Sequence, residues 1–114
     1  MADAALAIAK EYFSRIRARD PSVADLFSED GVLVGLGRLT RGREAIRAFY
    51  SEAIATGGPT PSPRATFSDG SRVAAEIYIN LEGGSVIHAM DLFEIEDGKI
   101  RSLTYFIADH PPLD

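Results

Sequence analysis

The chain has 114 residues and no cysteine, and it carries 17 Asp plus Glu against 12 Lys plus Arg, a formal net charge of -5. The missing cysteines exclude disulfides, thiolate metal sites and thiol nucleophiles. The acidic balance opposes sequence-independent attraction to phosphate backbones, so nucleic acid is not an expected partner. No apolar run approaches the roughly 18 residues of a membrane span, and Asp3, Lys10 and Glu11 interrupt the first segment against a signal peptide. The expectation is a cytoplasmic protein, one domain over residues 1–114, large enough to bury its own core.

From Asp3 to Arg19, Leu6, Ala9, Phe13 and Ile16 recur at spacings of three and four, with Ala5, Ile8 and Tyr12 on the adjoining row, which predicts a helix. Asp20-Pro21 ends it and opens a short second helix, Ser22 to about Phe27, because Asp caps free amides and Pro suits the first helical position. Ser28 to Gly31 is a predicted turn, Val32 to Val34 a strand, and Gly35-Leu36-Gly37 a bend before Arg38. A third helix follows Gly42, with Ala45, Ile46, Phe49, Tyr50, Ala53 and Ile54 on one broad apolar face. Thr56 to Pro63 holds three prolines and two glycines and is expected to be a loop without regular structure.

Arg64 to Phe67 then predicts a strand, Ser68 to Ser71 a hairpin turn, and Arg72 to Leu81 a longer strand. Glu82-Gly83-Gly84 turns again, and two strands follow over 86–95 and 100–107, with a frayed tail from His110. Helices first and antiparallel hairpins after make the class α+β, with helices on one face of a curved sheet.

Alternation sorts the strand residues by face. Ile87, Ala89, Asp91, Phe93 and Ile95 form one face; His88, Met90 and Leu92 form the other, which makes His88 a packing or interface residue. Asp91 is an acid among apolar neighbours, surroundings that favour the neutral, donating form of a carboxyl. Its alternative is a solvated acid or an ion pair with Arg38 or Arg101. Aligning backwards from Asp91 sets Glu76, and with it Tyr78, toward the same side, although a polar solvent face has the same pattern. Neither His88 nor His110 has metal-pair spacing, so no metal and no cofactor are expected.

The chain resembles the NTF2-like or SnoaL-like superfamily and, within it, the bacterial Δ5-3-ketosteroid isomerases. The resemblance is carried by Tyr12-Phe13 eight residues before Asp20, by Asp30 at a strand start, by Gly42 to Tyr50, and by Met90-Asp91-Leu92-Phe93 followed by Asp97-Gly98-Lys99-Ile100. It implies a cone in which three N-terminal helices and a strongly curved antiparallel or mixed sheet enclose one pocket, and it implies a homodimer.

It also implies that Tyr12 and Asp91 are the hydrogen-bond donors of an oxyanion hole and that Tyr50 buttresses Tyr12. The isomerase general base falls at or beside Gly35, which offers no carboxylate, so Glu76 or a water is the candidate replacement. Phe49, Tyr50, Tyr78, Phe93, Leu103 and Tyr105, with Ile107, are the expected substrate-binding residues. The function expected is a ketosteroid-isomerase-like enzyme for a small hydrophobic carbonyl or steroid-like substrate. The alternatives are a non-catalytic protein binding a phenol or steroid-like ligand, and a structural dimerisation module, whose cavity would be filled with side chains.

Overall fold

The computed structural model describes residues 3–58, 60–81 and 83–108. Helix α1 spans Ala4–Arg17, with the Asp3 carboxylate accepting from the Leu6 amide at 3.0 Å as its N-cap. Asp20 caps the next segment in the same way, through the Ser22 amide at 2.9 Å, but Pro21–Leu26 winds as a 3-10 helix. Strand β1 is Phe27–Gly35, β2 is Arg38–Arg41, and α2 is Arg43–Ala55. Strands β3, β4, β5 and β6 follow as Thr60–Ser68, Arg72–Asn80, Val86–Glu96 and Lys99–Ile107.

These strands form one sheet in the order β2-β1-β6-β5-β4-β3. It is mixed: β1 and β6 run parallel, and every other pairing is antiparallel. The helices lie on one face. Ala5, Ala9, Tyr12 and Phe13 of α1 and Ile46 and Tyr50 of α2 meet Val73, Ala75, Ile77, Ala89, Phe93 and Leu103 of the sheet in a single buried cluster.

Two segments differ from the sequence expectation. Ser28 to Gly31, expected as a turn, lies within β1, whose pairing to β6 shifts register between Phe27 and Val32, so turn-forming residues sit in a strand irregularity. Thr60 to Pro63, expected as a loop, begins β3. Pro61 and Pro63 pair with Ile79 and Ile77. They are two residues apart on the strand at the sheet edge, where the missing proline N–H groups cost no ladder bond to an outer neighbour. Asp97 and Gly98, both at positive φ, close the β5–β6 hairpin as the two-residue turn that Asp-Gly favours.

Candidate active site

Strand pairing places the acid. Asp91 on β5 stands directly between Ala75 on β4 and Tyr105 on β6. Beside Asp91 the helices α1 and α2 leave a space that they do not fill. The space is a cavity of about 250 Å³ whose lining includes Tyr12 and Ile16 of α1, Phe49, Tyr50 and Ala53 of α2, Ile77, Ile79 and Ile87 of the sheet, and Asp91, Tyr105 and Ile107. Most of that wall is aliphatic or aromatic, with a few polar groups converging in it, which is the usual composition of a small-molecule site.

Asp91 is only 5% exposed, and among the described residues its carboxyl has no hydrogen-bond partner. Burial without such a partner penalises the charged form and raises its pKa to about 7. The Tyr12 and Tyr50 hydroxyls are 2.8 Å apart and both buried. Burial holds both phenols above their usual range, and the nearby Asp91 adds to the effect on each. Both therefore stay protonated at neutral pH. One bond between two hydroxyls uses one proton, so whichever tyrosine donates, a second phenolic proton is left to point at a ligand oxygen. Tyr105 is raised by burial and by Asp91, with Arg38 acting the other way.

The structure therefore brings together Tyr12, Tyr50, Phe49, Tyr105, Ile107 and Asp91. Phe93 and Leu103 face the same side but lie below the cavity, fully packed. Phe93 meets Tyr12 edge-on at 5.2 Å and supports it rather than contacting the open space.

Glu76 and Tyr78 are corrected. Glu76 pairs with Met90 and Tyr78 with His88, one residue out of phase with the Ala75–Asp91 pair, so both side chains leave the opposite face of the sheet. There the Glu76 carboxylate meets His88 Nε2 at 2.8 Å, and the Tyr78 ring meets His88 edge-on. His88 lies away from Asp91, as alternation predicts.

Gly35 holds no base and has no room for one, since a Cβ there would overlap the Tyr105 ring. The cavity residues that the sequence reading did not single out include Ile16, Arg19, Leu36, Ile77, Ile79 and Ile87. For the β4 isoleucines a signal existed, in the parity of the hairpin count across the turn centred on Gly83. For Arg19 and Leu36, both in turns, alternation provides none.

Among the described residues no group of His, Asp and Glu is placed to hold a metal ion, and no helix is long and apolar enough to cross a membrane. A second, shallower depression between α1 and β3 is lined by Lys10, Arg17 and Arg64 with no acid. It lies apart from Asp91.

Comparison with solved structures returns the same architecture. A protein from Sphaerobacter thermophilus is 28% identical, with a TM-score of 0.79 over 96% of this chain and 100% of that one. The epoxide hydrolase/cyclase-like enzyme SalBIII, of pyran ring formation in the polyether salinomycin, is 24% identical with a TM-score of 0.77, over 90% of this chain and 88% of its own. A computationally designed 17-OHP binder is 22% identical with a TM-score of 0.78, over 90% and 92%. No curated protein matches the sequence. The SnoaL-like domain model matches residues 9–103, and the chain, with its helices packed on an unclosed mixed sheet in the NTF2-like manner, belongs to the SnoaL-like domain family.

Proposed function

We propose that the protein is an isomerase-type acid–base enzyme for a small hydrophobic carbonyl compound, with Asp91 moving the proton and the Tyr12–Tyr50 pair binding the carbonyl oxygen. The observation that carries this reading is the placement of Asp91: a lone buried carboxyl in an apolar cavity, without a hydrogen-bond partner among the described residues, titrating at about 7. A group with that pKa is divided between base and acid near neutrality. As carboxylate it takes a proton from the carbon beside the carbonyl, and charge moves to the oxygen. The spare phenolic proton stabilises that enolate. The neutral acid then returns the proton to a different carbon, and the double bond has shifted with no net gain or loss of atoms.

Two facts move this role onto Asp91. Gly35 is covered by Tyr105, and Glu76 is on the other face of the sheet. A volume of about 250 Å³ lies below the roughly 300–1,000 Å³ of drug-sized sites, which favours a one- or two-ring substrate over a four-ring steroid. SalBIII and the designed 17-OHP binder share the fold, which supports reading the cavity as a ligand site.

The test is the isomerisation of 3-cyclohexenone and of a Δ5-3-ketosteroid by wild type, Tyr12→Phe and Asp91→Asn. Loss of one oxyanion donor is expected to cost on the order of 10² in rate, and loss of the proton carrier about 10² to 10⁴. Equal rates in all three proteins would sink the proposal. The absence of a second carboxylate in the described cavity wall favours one other reading, a non-catalytic binding protein. It predicts a ligand-dependent rise in melting temperature without turnover.

The homodimer implied by the resemblance has a candidate surface on the far side of the sheet. Phe67, Ala74, Leu92, Thr104, Val34 and Leu39 pair in one row across all six strands, with Met90 and Phe106 on the next. Phe67, Leu39 and Phe106 are exposed there, with half-buried Ala74, Leu92, Val34 and Met90 between them, a largely apolar face of the kind that marks an interaction surface. A second copy laid across it would bury these side chains and leave the cavity on the opposite face open.

A further inference from the structure

We infer that the ligand of this cavity is a hydrophobic molecule with a carboxylate end, held at the cavity mouth by the Arg19 guanidinium. The inference rests on the cavity being a ligand site and does not depend on which residue moves a proton.

Arg19 borders the same cavity as Asp91 and Tyr12. Among the described residues it has no ion pair. Its polar contacts are long ones to neutral acceptors, 3.5 Å to the Gly58 carbonyl and 3.4 Å to Thr60 Oγ1. Asp20, its neighbour in sequence, is occupied with the Ser22 amide. Among the described residues the cavity wall contains one carboxyl, Asp91, and that group is buried. The rest of the rim includes the exposed apolar side chains of Leu36 and Ile107. A second guanidinium, Arg38, lies 5.7 Å from the ring of Phe49, another cavity residue, and it too has no ion pair among the described residues. In a chain of net charge -5, one guanidinium thus lines the cavity and a second stacks on a ring of its wall.

The backbone at Arg19 makes the placement more telling. The Arg19 amide donates to the Ile16 carbonyl and the Asp20 amide to the Arg15 carbonyl, which is the hydrogen-bond pattern of a Schellman motif ending α1. Arg19 occupies its left-handed position at φ 56, where glycine is the usual residue because it carries no Cβ penalty. Helix termination alone would be served better by glycine. What arginine adds there is a planar, permanently charged fork over the mouth of an apolar cavity. That fork matches a carboxylate bidentately, while Ile77, Ile79 and Ile87 take the apolar body of the same ligand.

The experiment is calorimetric titration of the full chain with 1-naphthaleneacetate and with its neutral methyl ester, at low salt. The acid is expected to bind wild type about tenfold more tightly than the ester, as a charge-assisted hydrogen bond allows, and added NaCl should narrow the gap. In Arg19→Gly, which relieves the left-handed strain, and in Arg19→Gln the ratio of the two affinities should fall to near one. Equal affinities in wild type, or a gap that survives both substitutions, would overturn the role of Arg19 while leaving the cavity a ligand site. If neither probe binds, the cavity reading fails and this inference fails with it.

Discussion

The Tyr105 ring lies against Gly35 so closely that any Cβ at position 35 would overlap it. Gly35 is not among the residues at positive φ, so backbone conformation does not demand glycine there. The ring does. The ring that excludes a side chain at position 35 is itself part of the aromatic wall of the cavity.

Gly35→Ala should accordingly destabilise the protein by about 1–3 kcal/mol through overpacking. In a chain already carrying Tyr105→Ala the same change should cost much less. Urea unfolding of the two single variants and the double variant measures the coupling, and a coupling near zero would mean that the ring moves aside freely.

Asp91 makes stability fall as pH rises. Below about pH 4 its carboxyl is protonated in both folded and unfolded chains and carries no penalty. Between about 4 and 7 the folded chain holds a proton that the unfolded chain has released, and above about 7 both are ionised and the penalty is complete. A displacement from 3.8 to about 7 corresponds to roughly 4 kcal/mol. Relative to wild type, Asp91→Asn should therefore gain stability progressively from pH 4 to pH 7 and then level off. A difference between the two proteins that is flat over this range would contradict the burial argument.

The Tyr12–Tyr50 bond is buried, so breaking it from either side strands a hydroxyl. Tyr12→Phe and Tyr50→Phe should each cost about 1–3 kcal/mol. The double variant should cost less than the sum, because no orphaned group remains. A double-mutant cycle in thermal or urea unfolding reads the difference.

Glu76→Gln tests the geometry of the sheet. Its side chain bonds His88 on the face away from the cavity, so turnover or ligand affinity should change less than about twofold, against the 10² or more expected for Asp91→Asn. A rate loss matching that of Asp91→Asn would return Glu76 to the catalytic assignment.

Phe106→Glu places a charge in the largely apolar outer face of the sheet. If two copies meet there, sedimentation equilibrium should show wild type as a dimer and the variant as a monomer, because a buried unpaired charge is costly. Two species of the same mass would remove this face as the contact.

Much of the fold was legible in the residues because local rules carried it. Apolar spacing marked α1 and α2, Asp20 marked the start of the short helix between them, and Asp97-Gly98 marked the last hairpin. The misreadings have physical sources too. Pro61 and Pro63 signal a loop by their missing donors, yet a strand at a sheet edge tolerates them when they lie on its unpaired side. Glu76 was set on the wrong face by a one-residue error of phase. A hairpin centred on Gly83 pairs Asp91 with residue 75, and because the side-chain period is two, that single step exchanges Glu76 and Tyr78 for Ile77 and Ile79 as the cavity wall.

By itself, then, the sequence determined most of the elements and that an acid stands among apolar neighbours on the last hairpin, matters of spacing and composition decided within a few residues along the chain. Which tyrosines could serve that acid was implied by the family resemblance. Only the tertiary structure decided that Asp91 is buried without a partner among the described residues, that the Tyr12 and Tyr50 hydroxyls are hydrogen-bonded across 38 positions, that Tyr105 fills the place beside Gly35, and that Arg19 borders the same cavity. Each of these depends on strand register and helix placement, which bring distant residues within a few ångströms of one another, and nothing in the local pattern records those distances.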